Sequence, residues 1–275
     1  MNETSEALGI IAGNRSLPLL FAREARAQGV KRLVAVGYEG ETDPALEELV
    51  DELIWLRVGQ LTRTIAAFAK RGVRRCVMVG QITPRNLFQM RPDLRAMTLL
   101  LKLRHKHAHS LFGAVAEELE RAGVKLIEPT PWLRRRMPGR GFLLGRKPTP
   151  EERRDLELGF RIAKEISRLE IGQTVVVKDG MILAVEAFEG TDRCLERGGE
   201  LAGPKGGAAA VKVAKENHDM RFDIPCFGHQ TIETCARAGI RILGVERDKT
   251  LMLEEEEVRA AVKKHRFAVV ALPED

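Results

Sequence analysis

The chain has 275 residues, 44% of them apolar and 31% charged, which excludes a disordered protein and leaves room for two domains or one large α/β unit. Lysine and arginine outnumber aspartate and glutamate 45 to 39, so the net charge of +6 favours an anionic partner. Aromatic residues are only 5%, with one tyrosine, too few for the stacking platforms of a single-strand nucleic-acid binder, so nucleic acid is not expected as a partner. Cys76, Cys194, Cys226 and Cys235 show no CxxC spacing and form neither a zinc knuckle nor a redox motif. The opening "MNETSEALGIIAG" is acidic ahead of a short apolar run, unlike a signal peptide. No apolar stretch reaches the ~18 residues needed to span a bilayer. The expectation is a cytoplasmic protein with reduced cysteines.

In chain order, "ALGIIAG" (7–13) reads as a buried strand and "SLPLLFAREARAQG" (16–29) as a helix, with Ser16 at its N-cap, Pro18 in the first turn and Gly29 at its end. "KRLVAVGY" (31–38) is the next strand, "TRTIAAFAKRG" (62–72) a helix and "VRRCVMVGQI" (73–82) a strand. After "RPDLRAMTLLLKLRHKH" (91–107) come the helix "HSLFGAVAEELERAG" (109–123) and the strand "VKLIEPT" (124–130). Alternating strand and helix is the rhythm of a parallel sheet, so residues 1–132 are expected to form a Rossmann-like domain. Residues 133–150 are basic, rich in glycine and proline and aperiodic, and read as a linker. From 151 to 275 the pattern predicts a C-terminal mixed α/β domain. Its first helix, 149–170, has a capping box of Thr149 and Glu152 with Pro150 in the first turn. A hairpin over 174–188 turns at Lys178-Asp179-Gly180. A strand ending near 215, a helix at 231–239, a strand at 240–246, a helix at 254–267 and a strand at 268–273 complete it.

Four stretches carry candidate chemistry. "IAGNRSLP" (11–18) joins a strand to a helix start, where backbone N–H groups bind anions; Gly13, Asn14 and Arg15 fall there, without the further glycines of a dinucleotide fingerprint. "VGQITPRN" (79–86) ends another strand, with Gly80 permitting close approach and Gln81 and Arg85 offering polar contacts. In "VEAFEGTDRCL" (185–195), Glu186, Glu189 and Asp192 surround Gly190-Thr191. Three carboxylates so close repel unless a cation compensates, and Mg²⁺ commonly bridges one or two carboxylates to a substrate phosphate. "KVAKENHDMRFDIP" (212–225) supplies the opposite sign. Lys212, Lys215 and Asp219 follow a strand, and Arg221 and Asp223 share a face if "MRFDIP" is extended, with Met220, Phe222 and Ile224 pointing to the core. "ENHD" (216–219) lacks the companion boxes of a metallophosphoesterase, and His105, His107 and His109 read as surface histidines.

"LGIIAGNRSLP", "IGQTVVVKDGMILAVEAFEGTD" and "VKVAKENHDMRFDIPCFGHQTIE", in this order from about residue 8 to 271, resemble the LpxI-type UDP-2,3-diacylglucosamine pyrophosphatases of lipid A biosynthesis. The resemblance implies two α/β domains with substrate held between them. It implies Mg²⁺-dependent (or Mn²⁺-dependent) hydrolysis in which water attacks the α-phosphorus, giving UMP and 2,3-diacylglucosamine 1-phosphate, lipid X. On this resemblance Asp223 is catalytic, with Lys215 and Arg221 beside it. Gly13, Asn14, Gly80, Gln81, Thr191 and Lys212 contact substrate, and the metal falls to Glu186, Glu189, Asp192, Asp219 and Asp223. It further implies a homodimer working on a UDP-diacylglucosamine-type lipid at the inner-membrane surface, as a cytoplasmic, peripheral protein. The chain departs from the family at Glu216, Asn217 and His218, and at Cys226-Phe227-Gly228-His229, so a divergent member acting on another nucleotide or lipid phosphate is the alternative. A nicotinamide oxidoreductase would need glycines that are absent. A non-enzymatic nucleotide- or lipid-binding regulator, touching anionic lipid through Arg134 to Arg136, would not need the clustered carboxylates.

Overall fold

The computed structural model describes residues 6–82, 92–102, 108–215, 219–222 and 224–273. Asp223, Arg85, His105, His107, Glu216, Asn217 and His218 lie outside the described residues. The chain divides into two units. One runs to Leu133 and takes in 219–222; the other starts at Arg134 and resumes at Ile224.

In the first unit, strands β1 (Leu8–Ala12), β2 (Leu33–Tyr38), β3 (Glu52–Leu56), β4 (Arg75–Val79) and β5 (Lys125–Leu126) make one sheet in the order β3-β2-β1-β4-β5. Every pairing is parallel. Between them run helices α1 (Leu17–Ala27), α2 (Leu61–Ala69), α3 (Leu94–Lys102) and α4 (Ala108–Arg121), with a short α5 (Thr130–Leu133) after β5. Strand β1 is buried at all five positions, as an unbroken apolar run at the centre of a parallel sheet must be. Its core joins Ile11, Val34, Phe68, Cys76 and Leu119. Strand β3 was not expected from the sequence; it lies at the sheet edge, where it is only partly buried and leaves Trp55 exposed, so the apolar signal is weak. The strand order reverses between β1 and β4, and ligands of open α/β sheets gather at such a switch point, beyond the carboxyl ends of the strands.

The second unit has a mixed sheet. It contains β6 (Leu143–Gly145), β7 (Thr174–Lys178), β8 (Met181–Val185), β9 (Ala208–Lys212), β11 (Ile240–Glu246) and β13 (Ala268–Leu272), in the order β6-β13-β11-β9-β7-β8. The inner three, β13, β11 and β9, are parallel; β6, β7 and β8 pair antiparallel at the flanks. Strands β10 (Cys226–Phe227) and β12 (Leu251–Met252) form a separate parallel pair. Alternation along β7 divides the core. Val175 and Val177 pack with Leu156, Ala163 and Ile166 of α6 (Pro150–Arg168). Val176 faces Cys194 and Leu195 of α7 (Thr191–Leu201), in a cluster with Ile232 of α8 (His229–Arg237) and Val258 of α9 (Glu255–Lys264).

The Thr149–Glu152 capping box is present, with Glu152 N donating to Thr149 Oγ1 at 3.2 Å and Thr149 N to Glu152 Oε2 at 2.9 Å. Ser16 sits at the N-cap of α1 with helical angles and makes no side-chain capping bond. The β7–β8 turn is held from below: Asp155 of α6, itself buried, accepts from the N–H groups of Asp179 at 2.9 Å and Gly180 at 2.8 Å.

Two local features depart from the sequence reading. Residues 191–201 are a helix, which the sequence reading did not predict. Gly198 and Gly199 lower helix propensity, but a Cβ on Gly198 would lie 2.6 Å from Val176, so the glycines let α7 rest directly on the sheet and packing outweighs propensity. Residues 219–222 are a turn, not an extended piece: Phe222 N donates to Asp219 O at 3.0 Å. Phe222 stacks on Phe112, ring centroids 6.1 Å apart, against the core of the first unit, whereas Ile224 is buried in the second.

Candidate functional site

In the first unit, the switch point is built from backbone. Gly13 N donates to Val79 O at 2.8 Å and Asn14 N to Gln81 O at 2.7 Å, so the segments leaving β1 and β4 are stitched by an isolated bridge between Asn14 and Gln81. The approach requires glycine on both sides. A Cβ on Gly13 would lie 2.3 Å from the Gln81 carbonyl oxygen. Gly80 has φ +91°, and its Cβ would lie 2.7 Å from the Asn14 oxygen. The expected Gly13, Asn14, Gly80 and Gln81 are therefore brought together. Two supports were missed. Asn14 Nδ2 donates to Glu41 Oε2 at 2.6 Å, and Thr42 Oγ1 donates to Ala12 O at 2.6 Å while accepting from Tyr38 N at 2.9 Å. Glu41 and Thr42 are buried polar residues in a loop after β2, and only their place beside β1 gives them a role. Helix α1 starts just beyond Gly13-Asn14 with no acidic residue in its first turn.

In the second unit the site is built from side chains. Lys212 ends β9, Thr174 begins β7, Glu186 follows β8 and Thr191 opens α7. Thr191 Oγ1 donates to Glu186 Oε1 at 3.0 Å and accepts from Lys212 Nζ at 3.3 Å; Thr174 Oγ1 is 3.4 Å from it. Lys212 and Glu186 are only 9% and 6% exposed, so an ammonium and a carboxylate are held out of water with one hydroxyl between them. Glu186 Oε2 is shielded from solvent and has no hydrogen-bond partner among the described residues. A buried anionic oxygen left open is a position for a cation or a donor from a ligand.

The other expected carboxylates are placed differently. Glu189 closes its own loop, accepting from Ala187 N at 3.1 Å and from Arg197 Nη2 at 2.6 Å, and the Arg197 guanidinium holds its carboxyl below the usual range. Asp192 lies in the first turn of α7. Asp219 belongs to the first unit and is paired with Arg221, at 2.7 Å from Nη2. That hydrogen bond raises the Arg221 pKa, and its guanidinium also lies 4.9 Å from the Phe222 ring centre. Among the described residues no three His, Cys, Asp or Glu side chains form a metal-binding group. Lys215 is exposed, three residues past β9.

The root of the Lys215 segment is fixed by a network the sequence reading passed over. Ala214 N donates to Glu246 Oε2 at 2.8 Å, and Lys164 Nζ and Lys249 Nζ reach Glu246 Oε1 at 3.1 and 2.9 Å. Val213 N adds a bond to Gln173 O at 3.0 Å. Glu246 ends the parallel strand β11, the kind of position that signals a site, but nothing in the sequence says that it reaches Ala214. Cysteine chemistry is disfavoured. Burial, and next the Glu186 charge, push the Cys194 thiol up to about 12, and burial likewise raises Cys235.

Both units are similar in sequence to known proteins. Residues 7–136 match the model of the LpxI N-terminal domain and residues 139–270 that of the LpxI C-terminal domain. A curated protein of Caulobacter vibrioides, named UDP-2,3-diacylglucosamine pyrophosphatase LpxI, is 30% identical over 263 residues, 92% of this chain and 93% of its own length. Among solved structures, the biotin carboxylase domain of Hydrogenobacter thermophilus 2-oxoglutarate carboxylase aligns at 15% identity and a TM-score of 0.26, over 71% of this chain and 41% of that one. N5-carboxyaminoimidazole synthetase of Staphylococcus aureus gives the same identity and TM-score over 72% and 44%. Scores that low have no bearing on function. Matched by both domain models in sequence order and related along nearly its whole length to a curated member, the chain belongs to the LpxI family.

Proposed function

We propose that this protein hydrolyses the pyrophosphate of UDP-2,3-diacylglucosamine to UMP and 2,3-diacylglucosamine 1-phosphate. The observation that carries this reading is 30% identity to the Caulobacter vibrioides protein of that name over 92% of the chain. In the reaction one water is consumed: its oxygen bonds to the α-phosphorus, the bond from that phosphorus to the bridging oxygen breaks, and the sugar phosphate leaves with the electron pair.

The residues fit an anhydride of phosphate. Buried Lys212 is a fixed positive charge where negative charge grows on phosphoryl oxygens, and a cation kept from water is worth more there than one on the surface. Thr191 orients Lys212 and Glu186 relative to one another. Exposed Lys215 meets a second phosphoryl oxygen. Asp223 is assigned the activation of water. The glycine-lined segments after β1 and β4, with Asn14 and Gln81, are assigned to the nucleotide; the N–H groups of Gly13 and Asn14 are already bonded to Val79 and Gln81, so contact there falls to the groups beyond them. The open Glu186 oxygen fits a magnesium ion held mainly by substrate phosphate, and manganese is its natural substitute. Such an ion would supply Lewis-acid charge stabilisation. The other carboxylates proposed for it are Glu189, Asp192, Asp219 and Asp223, of which Glu189 and Asp219 are engaged with arginines. In this reading the protein acts as a homodimer on the cytoplasmic face of the inner membrane; no described helix is long and apolar enough to cross it.

The test is UMP release from UDP-2,3-diacylglucosamine by the purified protein, with Mg²⁺, with Mn²⁺ and with EDTA, beside Asp223→Ala. UMP formed with metal and lost in the variant is expected. A folded wild type that forms none under any of these conditions sinks the reading.

A further inference from the structure

We propose that Phe188 is the side chain that holds an aliphatic chain of the lipid substrate, beside the phosphate-handling residues of the second unit; this rests on the pyrophosphatase reading above. Phe188 has 106% relative exposure, the full ring in solvent, and it is the one phenylalanine among the exposed large apolar side chains of the described residues. Phenylalanine is normally among the most buried residues, so this placement needs a reason.

The backbone around Phe188 is fixed. Arg197 Nη2 donates to Val185 O at 2.9 Å and to Glu189 Oε1 at 2.6 Å, Ala187 N donates to Glu189 Oε2 at 3.1 Å, and Thr191 Oγ1 donates to Glu186 Oε1 at 3.0 Å. Residues on both sides of Phe188 are thus tied down while its ring has no apolar cover. It lies two residues after Glu186 and three before Thr191, on the loop that carries both.

Its surroundings say what the ring takes. Glu186 N donates to Thr174 O at 2.9 Å, and a Cβ on Gly172 would lie 2.0 Å from the Glu186 carbonyl oxygen. The segment entering β7 therefore runs alongside the loop at Gly172, and the residue before it, Ile171, is 47% exposed. Val185 O and Ala187 N of the loop are already engaged, by Arg197 and Glu189. A bare aromatic ring on the loop that carries a buried carboxylate, and the threonine bonded to a buried lysine, matches a molecule with a phosphate at one end and a hydrocarbon chain at the other.

Hydrocarbon can come from the substrate or from the bilayer, and the experiment separates them. Steady-state UMP release is measured for wild type, Phe188→Ala, Phe188→Leu and Met181→Ala, whose exposed apolar residue on β8 is a control. The substrates are detergent-dispersed long-chain UDP-2,3-diacylglucosamine and a soluble short-chain analogue. For Phe188→Ala we expect KM toward the long-chain substrate to rise about tenfold, the size of a lost apolar side-chain contact. Its kcat, and its kcat/KM toward the short-chain analogue, should stay within about twofold of wild type. Leucine should restore part of the affinity and Met181→Ala should match wild type. An unchanged long-chain KM overturns the proposal, as does an equal rise for both chain lengths, which would place the ring on the nucleotide. Loss of flotation with phosphatidylglycerol vesicles at unchanged KM would assign it to the bilayer, and also overturns it. Calorimetric binding of 2,3-diacylglucosamine 1-phosphate separates the two readings. A wild type that forms no UMP but binds this lipid in a Phe188-dependent way refutes the activity and keeps the contact; binding independent of Phe188 refutes the contact.

Discussion

The two units prepare for an anion in opposite ways. The first brings two strand ends so close that glycine alone fits at 13 and 80, and offers main-chain groups with Asn14 and Gln81. The second buries Lys212, Thr191 and Glu186 at the end of a mixed sheet and offers charge. A backbone site is made by the fold itself, so damage to it is damage to folding. A buried charge pair is an expense to the fold, because desolvation is repaid only in part, so removal of both partners should spare stability and strike function. The units therefore predict opposite ratios of lost stability to lost activity.

Lys212→Met is the strongest test of that contrast. It keeps the length and apolar stem of the side chain and removes the charge. UMP release should fall by about 10²–10³ in kcat, the loss typical of removing one preorganised electrostatic group. Combined with Glu186→Gln, so that no buried carboxylate is left without its cation, the change should leave the thermal midpoint level. Full activity in the variant would remove Lys212 from the mechanism. A collapse of stability would make it structural and erase the contrast. Gly13→Ala should behave in reverse. Its new methyl carbon meets the Gln81 backbone at 2.3 to 2.9 Å, and backbone cannot yield as a flexible side chain can. Urea unfolding should show a loss of about 2–3 kcal/mol, with activity falling only as the folded fraction and local geometry fall. Wild-type stability would mean that the β1–β4 junction can open without cost.

Between these lies Glu246→Gln. The amide still accepts from Ala214 N but no longer balances Lys164 and Lys249. A loss of about 1–2 kcal/mol in urea is expected, the size of a buried charge-assisted hydrogen bond. A moderate fall in kcat should accompany it if the 213–215 segment positions Lys215. Unchanged kcat with lowered stability would confine the network to folding.

How far the sequence discloses this depends on the range of the interaction. Strands β1, β2 and β13 are apolar runs, β9 is one up to Lys212, and the α6 cap is a four-residue pattern, so all are local and readable. The "VEAFEGTD" carboxylates were legible as a cluster, but not their separate fates. Glu189 is committed to Arg197 eight residues on, and that pairing requires α7, which the glycines at 198 and 199 conceal. Asp219 and Arg221 were legible as charges. That Phe222 turns them into the first unit, against Phe112 more than a hundred residues earlier, follows from packing alone. Lys164 and Glu246, 82 residues apart, are likewise joined by the sheet and by nothing in the local pattern.

The smallest expected effect sharpens the contrast from the side of pH, because a side-chain-built unit carries titratable partners on its surface as well. Glu233 of α8 is held by His265 Nε2 at 3.1 Å, Lys264 Nζ at 3.1 Å and His229 Nε2 at 3.5 Å. The hydrogen bond from His265, then that from Lys264, lowers its pKa to about 2. In the unfolded chain a glutamate titrates near 4.3, so on acidification the unfolded state takes up this proton first. The contribution of Glu233 is thus complete above about pH 4.3 and is lost as pH falls toward the folded value of about 2. Urea midpoints at pH 5 and pH 3 should drop further for wild type than for Glu233→Gln, which has no carboxylate to protonate. The difference should shrink in high salt, since these groups face solvent and are screened. Equal drops in the two proteins would assign the acid sensitivity to other carboxylates and leave the α8–α9 surface without a measurable electrostatic role.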